Sequence, residues 1–386
     1  MTEPVAVRYR WIDSDVALRG VIDALVDQPQ YALDTEFHRE RTFFPALALV
    51  QIAWPGDLVL IDPLAVDITA LADLFNADAV AVLHAAQQDL DVLSHAVGAV
   101  PKQLFDTQIA AGFAGYGTPS LGSLLQGEIG VSPAKGDRLT DWLRRPLSAD
   151  QLQYAANDVA HLLEVRERLA ERLAEQNRLD WVTEAVEDLL ARPISGAAPE
   201  MAWLRIKDVR SLRPRARAVA QSVAAWREQR AIEVDQPVRH VLADLAVIGI
   251  AQRQPERVDD LASCRGVDGR SIRGRLGDEI IDAVRRGLSA EPPEIPPSSD
   301  DLERELRPVV ALVAAWVAQV ARDERIDPTL LATRADIVAA LSGDASSRLR
   351  RGWRNELLGA GIEELVSGRA GLTFVSGHGL RLVSVD

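Results

Sequence analysis

Cysteine is almost absent from this chain of 386 residues: there is one, Cys264. A single cysteine rules out an intramolecular disulfide and fits a reducing compartment. It lies in DLASCRGVDG between expected helices, where it reads as a small structural residue. Long apolar runs are also missing, and none reaches the roughly 18–20 residues needed to span a bilayer. The opening stretch MTEPVAVRYRWIDSD has no charged start followed by an apolar run, so no secretory signal is visible. A cytoplasmic protein without membrane segments is expected. Lysine occurs only at Lys102, Lys135 and Lys207, with arginine in its place; this reads as coding bias. Positive charge is short overall, the formal net charge being −14, which at first argues against a polyanionic partner.

What is present is enough for packed domains. The chain is 47% hydrophobic and 26% charged, and its length exceeds what one ordinary core accommodates. The charge is also unevenly placed. Residues 201–290 hold 17 Lys plus Arg against 12 Asp plus Glu, so a mildly basic part is joined to a strongly acidic remainder. RPISGAAPE around 192–200 and SAEPPEIPPSSD around 289–300 interrupt the helical patterns, the second with the proline density of a semi-rigid linker. The chain is therefore divided into 1–191, 205–289 and 301–386, with 290–300 as the linker.

In the first part YALDTEF, LALVQIAW and DLVLIDP read as strands, with WPGD supplying turn chemistry. ITALADLFN reads as a helix, AVAVLHA as a buried strand, DLDVLSHAVG as a helix ending at glycine, and PKQLFDTQIAAGF as strand then helix. The order predicts an α/β domain around a mixed sheet. The other two parts show only short amphipathic helices until the last dozen residues. Each begins with a long tryptophan-containing helix, a charged turn and a second helix, which predicts a diverged internal duplication.

Three segments carry chemistry. In YALDTEF, Asp34 and Glu36 are two residues apart on a strand and project from one face. In QYAANDVAHLL, Tyr154 and Asp158 share a helix face at i, i+4. Asp89, in VLHAAQQDL, can complete the cluster from the start of the helix after AVAVLHA. Converging carboxylates repel unless cations sit between them, and oxygen-only ligands suit Mg²⁺ or Mn²⁺. Two such ions about 3.5–4 Å apart clamp the attacking and leaving oxygens of a phosphodiester displacement. Singly each piece is ordinary. A DxE pair is often a solvated face, Asp89 fits a helix N-terminus through the dipole, and Asp106 in LFDTQIAA fits an N-cap. Phe37 is either a base-stacking platform or a core aromatic, and His84 packs or hydrogen-bonds at a strand end.

Taken together, DTEF, HAAQQDLDVL with FDTQIAA, and QLQYAANDVAHLL resemble the three motifs of the DEDD superfamily of 3′→5′ exonucleases, most closely ribonuclease D. KGDRLTDWLRRPLSADQLQYAANDV is the most specific part of the match. Gln153 stands where the histidine-type branch has its histidine, so Tyr154 places the chain with the tyrosine-type branch. The resemblance implies a ribonuclease H-like mixed sheet and two divalent ions, Mg²⁺ or Mn²⁺. Asp34, Glu36, Asp89 and Asp158 would be the metal ligands and Tyr154 would orient the attacking water. Phe37, His84, Lys135 and Arg138 are the substrate-contact candidates. Residues 213–289 resemble an HRDC domain and 301–375 a more diverged copy, with Arg213, Arg215, Arg217, Arg227 and Arg230 as backbone-contact candidates. The implied activity is exoribonucleolytic trimming, with tRNA precursors bearing single-stranded 3′ ends as the expected RNA partner and a monomer as the expected state. The rival expectations are a DNA-directed exonuclease and an inactive binding module.

Overall fold

The computed structural model describes residues 7–132, 140–192, 198–269, 274–295 and 299–385, with backbone alone for 299–305. Lys135 and Arg138 lie outside the described residues. The strands β1 (Arg10–Ile12), β2 (Gln30–His38), β3 (Ala46–Trp54), β4 (Asp57–Ile61), β5 (Val80–Leu83) and β6 (Leu104–Asp106) form one sheet, ordered β1-β4-β3-β2-β5-β6. The β2-β3-β4 meander is antiparallel, β1 joins β4 in parallel, and β5 and β6 extend in parallel from β2. The mixed-sheet α/β expectation holds. Two elements escaped it: β1, whose three residues carry no readable period, and the helix Asp15–Leu25 before β2, although its Leu18, Val21, Ile22 and Leu25 recur at helical spacing.

The central strand β3 is buried between its two ends, which is why LALVQIA is nearly continuous in apolar character. Its turn into β4 places Pro55 and Gly56 between the paired Trp54 and Asp57. Proline fixes the first turn residue, and Gly56, at φ +93°, takes the left-handed position that a side chain would strain.

Alternation along β2 sorts the two faces. Tyr31 and Leu33 pack with Ile22, Ile52, Leu74 and Leu93 beneath the helices Asp15–Leu25, Leu71–Phe75 and Gln87–Ala96. Ala32 faces the other way, into a core with Leu49, Leu60, Ala156, Val159 and Leu169 under the helices Ala149–Ala160 and Leu162–Glu175. Asp34 and Glu36 continue the Ala32 face toward the end of the strand.

A helical module follows, with the long helix Pro214–Glu233, the short turns Val238–Val241 and Val258–Leu261, and the helices Asp244–Arg253 and Arg275–Ser289. It has its own core around Trp203, Val219, Val223, Ile250, Ile280 and Val284. Its two long helices touch at Gly287, where an added Cβ would lie 2.6 Å from Val219 Cα. The expectation for Arg227 fails here. Its side chain is buried and donates to Leu242 O at 3.0 Å and Asp244 Oδ1 at 2.6 Å, because Val223, Arg227 and Ala231 form one inward stripe at i, i+4 spacing. Arg213 and Arg215 are exposed, Arg217 and Arg230 half-buried, and Arg230 pairs with Glu233.

The last part holds the helix Ser299–Glu324, the turn Pro328–Leu331, the helices Arg334–Leu341 and Gly352–Val366, and a hairpin of β7 (Ala370–Val375) with β8 (Gly379–Ser384). Its apolar residues join the sheet domain's own core: Val313, Val317, Trp353 and Leu358 cluster with Val165, Val182 and Val186. Trp353 stacks on Trp181 with ring centroids 4.8 Å apart, and Phe113 meets both edge-on. Beside them the Arg354 side chain is fully buried and pairs with Glu184 at 3.1 Å and Asp188 at 3.5 Å. Arg178 donates to the carbonyls of Phe113 and Glu324, tying the two parts by backbone. No helix among the described residues is long and apolar enough to cross a membrane.

Candidate active site

The helix Ala149–Ala160 starts from a capping box. Ser148 Oγ accepts from Gln151 N at 3.2 Å while Gln151 Oε1 accepts from Ser148 N at 2.8 Å. Ser-x-x-Gln is the sequence signature of such a box, and it fixes where the helix begins. Its buried residues Ala155, Ala156 and Val159 are small enough to bring the helix close over β2. Tyr154 and Asp158, on a neighbouring stripe, then face the strand that carries Asp34 and Glu36. Arg145 holds the preceding loop in place by donating to Asp62 Oδ1 at 2.6 Å and Ala48 O at 2.7 Å. That places buried Trp142 against Tyr154, with ring centroids 6.1 Å apart.

Asp34, Glu36 and Asp158 each offer a carboxylate oxygen within 4.8 Å of the others. Asp89 reaches the site from the helix Gln87–Ala96 on the opposite face of the sheet and is buried. Thr35, which points away from Asp34 and Glu36, donates to Asp89 Oδ1 at 2.5 Å and holds it behind the triad. The structure thus brings together three of the four expected ligands and sets the fourth adjacent.

These carboxyls are hard to ionise as they stand. Burial, then the charges of Asp158 and Asp89, push Glu36 up to about 8. Burial and then Asp89, Asp158 and Glu36 hold Asp34 well above the usual carboxylate range. Asp89 is pushed up to about 6 by burial, with the Thr35 hydrogen bond pulling the other way. Such a site holds more negative charge than its surroundings compensate, and a hard divalent cation is the complement its all-oxygen donors fit.

The triad opens into a cleft of about 970 Å³ that Phe37, His84, Asp89 and Tyr154 also line. Phe37 is half-buried beside a β-bulge between Glu36 and Phe37, under the Arg39 guanidinium 5.0 Å from its ring centroid. His84 Nδ1 lies 3.0 Å from Thr107 Oγ1, and its Nε2 is buried. Burial lowers its pKa, which favours the neutral ring. Asp106 is the expected N-cap: it accepts from Gln108 N and Ile109 N, and also from Ala85 N and Ala86 N. The last two bonds fix the turn that carries Asp89.

Gln108, Ser120, Ser123, Gln126 and Ser132 also line the cleft, and none of them carries a signal in the sequence motifs. Ser120 caps the helix Leu121–Ile129 by accepting from Ser123 N, and a serine before LGSLLQ was the one available signal. Uncharged hydroxyls and amides give no charge pattern, so their place in the cleft was not readable.

A family model for a 3′-5′ exonuclease matches residues 9–174, and one for the HRDC domain matches residues 216–284. The chain is 36% identical to the ribonuclease D of Nitrobacter hamburgensis over 96% of its length and 98% of that protein's. It is 37% identical to the ribonuclease D of a Jannaschia species, over 93% and 95% respectively. Among solved structures, Escherichia coli RNase D, described as an exoribonuclease involved in structured RNA processing, superposes with a TM-score of 0.83 at 29% identity. That likeness covers 94% of this chain and 99% of the other. The motif order, the joined acidic triad and relatives matching nearly end to end agree: the chain belongs to the ribonuclease D family.

Proposed function

We infer that this protein is a metal-dependent 3′→5′ exoribonuclease that shortens RNA from its 3′ end and releases nucleoside 5′-monophosphates. The observation that carries this reading is the Asp34–Glu36–Asp158 triad, with its carboxylate oxygens within 4.8 Å of one another at the cleft.

Asp34, Glu36 and Asp158 would hold one divalent ion, and Asp34 with Asp89 a second. When bound, such ions supply charge stabilisation at the scissile phosphate and ease loss of a proton from water. The protein's own groups do the rest. Tyr154 orients the attacking water through its hydroxyl, and Trp142 holds its ring in place. A phenol titrating near ~10 is a poor base at neutral pH, so orientation is its role. Thr35 keeps Asp89 aimed at the site. Phe37 offers a face for the terminal base, and stacking is tolerant of base identity. Neutral His84 and the hydroxyl-lined wall supply hydrogen bonds to ribose or base without competing for the ions.

The physiological substrates we propose are structured RNAs with single-stranded 3′ tails, tRNA precursors first among them; the E. coli relative's role in structured RNA processing supports this. We also propose that residues 301–386 are a second HRDC-like module. In support, Trp226 and Trp316 each stand nine residues before a positive-φ residue, Asp235 at φ +46° and Arg325 at +54°. Each turn leads to a four-residue helix whose C-cap is extended, Leu242 at φ −158°, ψ 126° and Ala332 at φ −156°, ψ 131°.

The test is direct. Purified protein with Mn²⁺ or Mg²⁺ should release 5′-mononucleotides stepwise from a 3′-extended RNA hairpin, and EDTA should stop it. No release with either metal would overturn the enzymatic reading, and equal or faster attack on the matched DNA would overturn the RNA assignment.

A further inference from the structure

The loop 39–45 between β2 and β3 leaves the active-site strand just past Glu36 and Phe37. Its path is fixed at three points. Arg39, which lies over the Phe37 ring, pairs with Asp91 at 2.8 Å, on the helix that carries Asp89. Phe44 stacks face to face on His95 of the same helix, with centroids 3.7 Å apart. The third point comes from a different part of the molecule. Asp235 of the first helical module accepts from both Phe43 N and Phe44 N through one oxygen, Oδ1, at 3.0 and 3.1 Å.

Asp235 is placed for this by its backbone. The long helix Pro214–Glu233 ends at Val234 and the chain turns back through Asp235 at φ +46°. Aspartate tolerates this left-handed position better than most side chains do. The matching turn in the last part of the chain also meets the sheet domain: Asp327 N donates to Gly112 O at 3.0 Å. Both helical parts therefore touch the sheet domain through the turn that follows their long helix. The second contact sits on a continuous apolar core. The first sits beside a cavity of about 610 Å³, whose charged groups are already paired, Arg39 with Asp91, Arg205 with Glu228 and Arg227 with Asp244. Paired charges leave little to recruit a ligand, and an open gap leaves the loop's placement to the three contacts above.

We propose that Asp235 is a positioning residue: the first helical module uses it to hold the 39–45 loop, and through that loop Arg39 and Phe37, in the conformation that admits the RNA 3′ end. This rests on the exoribonuclease reading but adds to it a role for the module in shaping the cleft, separate from any RNA contact of its own. Because both amides converge on Oδ1, asparagine retains the acceptor and alanine removes it.

The experiment compares full-length wild type, Asp235→Ala and Asp235→Asn by hydrogen–deuterium exchange and by steady-state kinetics on a 3′-extended RNA. Asp235→Ala should speed exchange at the Phe43 and Phe44 amides about tenfold. It should raise KM about fivefold while kcat changes less than about twofold. Asp235→Asn should behave as wild type in both. Unchanged exchange in the alanine variant would show that the module does not hold the loop. Faster exchange with unaltered KM would show that the loop does not govern substrate entry. Loss of kcat in both variants would mean a general structural defect, which also contradicts the proposal. Should wild type itself be inert on RNA, the exoribonuclease reading fails, and with it substrate admission, whatever the exchange measurement says of the loop.

Discussion

Raising the pH of the metal-free protein should weaken it, and adding a divalent cation should reverse the trend. Glu36 is pushed up to about 8 by burial and its acidic neighbours, and Asp34 is also held above the usual range. A carboxyl that keeps its proton longer folded than unfolded makes the folded state the stronger proton binder. Its contribution is intact below the unfolded pKa, near 4, and is lost as pH climbs through about 8. For Glu36 the ceiling on this loss is about 5 kcal/mol. The cleft is open to water, which screens the repulsion, so about 2–3 kcal/mol is the expected size. In EDTA, the melting temperature should fall by about 2–4 °C between pH 5 and pH 8.5. Millimolar Mn²⁺ or Mg²⁺ should raise it most at the alkaline end, where ligands no longer surrender protons to bind. Glu36→Gln should flatten the slope. A metal-free melting temperature that is level or rises across this range, with Glu36→Gln parallel to wild type, would refute the account of the cluster as an uncompensated charge.

Other outcomes follow from the same geometry. Asp34→Asn or Asp158→Asn should lower the single-turnover cleavage rate on 3′-labelled RNA by about a thousandfold or more, with circular dichroism unchanged. Tyr154→Phe should cost less, about ten- to a hundredfold in kcat with little change in KM, since it removes orientation and leaves the ligands. Arg354→Ala should destabilise the protein by about 3 kcal/mol in urea, because Glu184 and Asp188 lose a fully buried partner.

Much of the site was legible because its pieces are local. Period two puts Asp34 and Glu36 on one face, and i, i+4 spacing does the same for Tyr154 and Asp158. Motif order suggested that the segments meet, but no periodicity says that a helix from residue 149 lies across a strand from residue 30. The bond from Thr35 to Asp89 and the hydroxyl wall at Ser120 and Ser123 join distant, uncharged partners and leave no pattern. Arg227 was misjudged for another reason. Its charge suggested a surface, yet its stripe with Val223 and Ala231 already pointed inward, and a buried arginine is stable where a carbonyl and a carboxylate meet it. Arg354 repeats that lesson.

The Trp181–Trp353 stack has a consequence for how the enzyme tolerates truncation. Ending the chain at the proline-rich segment would not yield a smaller nuclease, since it would strip the lid from apolar side chains such as Val182, Val186 and Phe113. The final eighty-odd residues are thus upholstery for the catalytic half, and shortened versions should precipitate before they lose any contact with RNA.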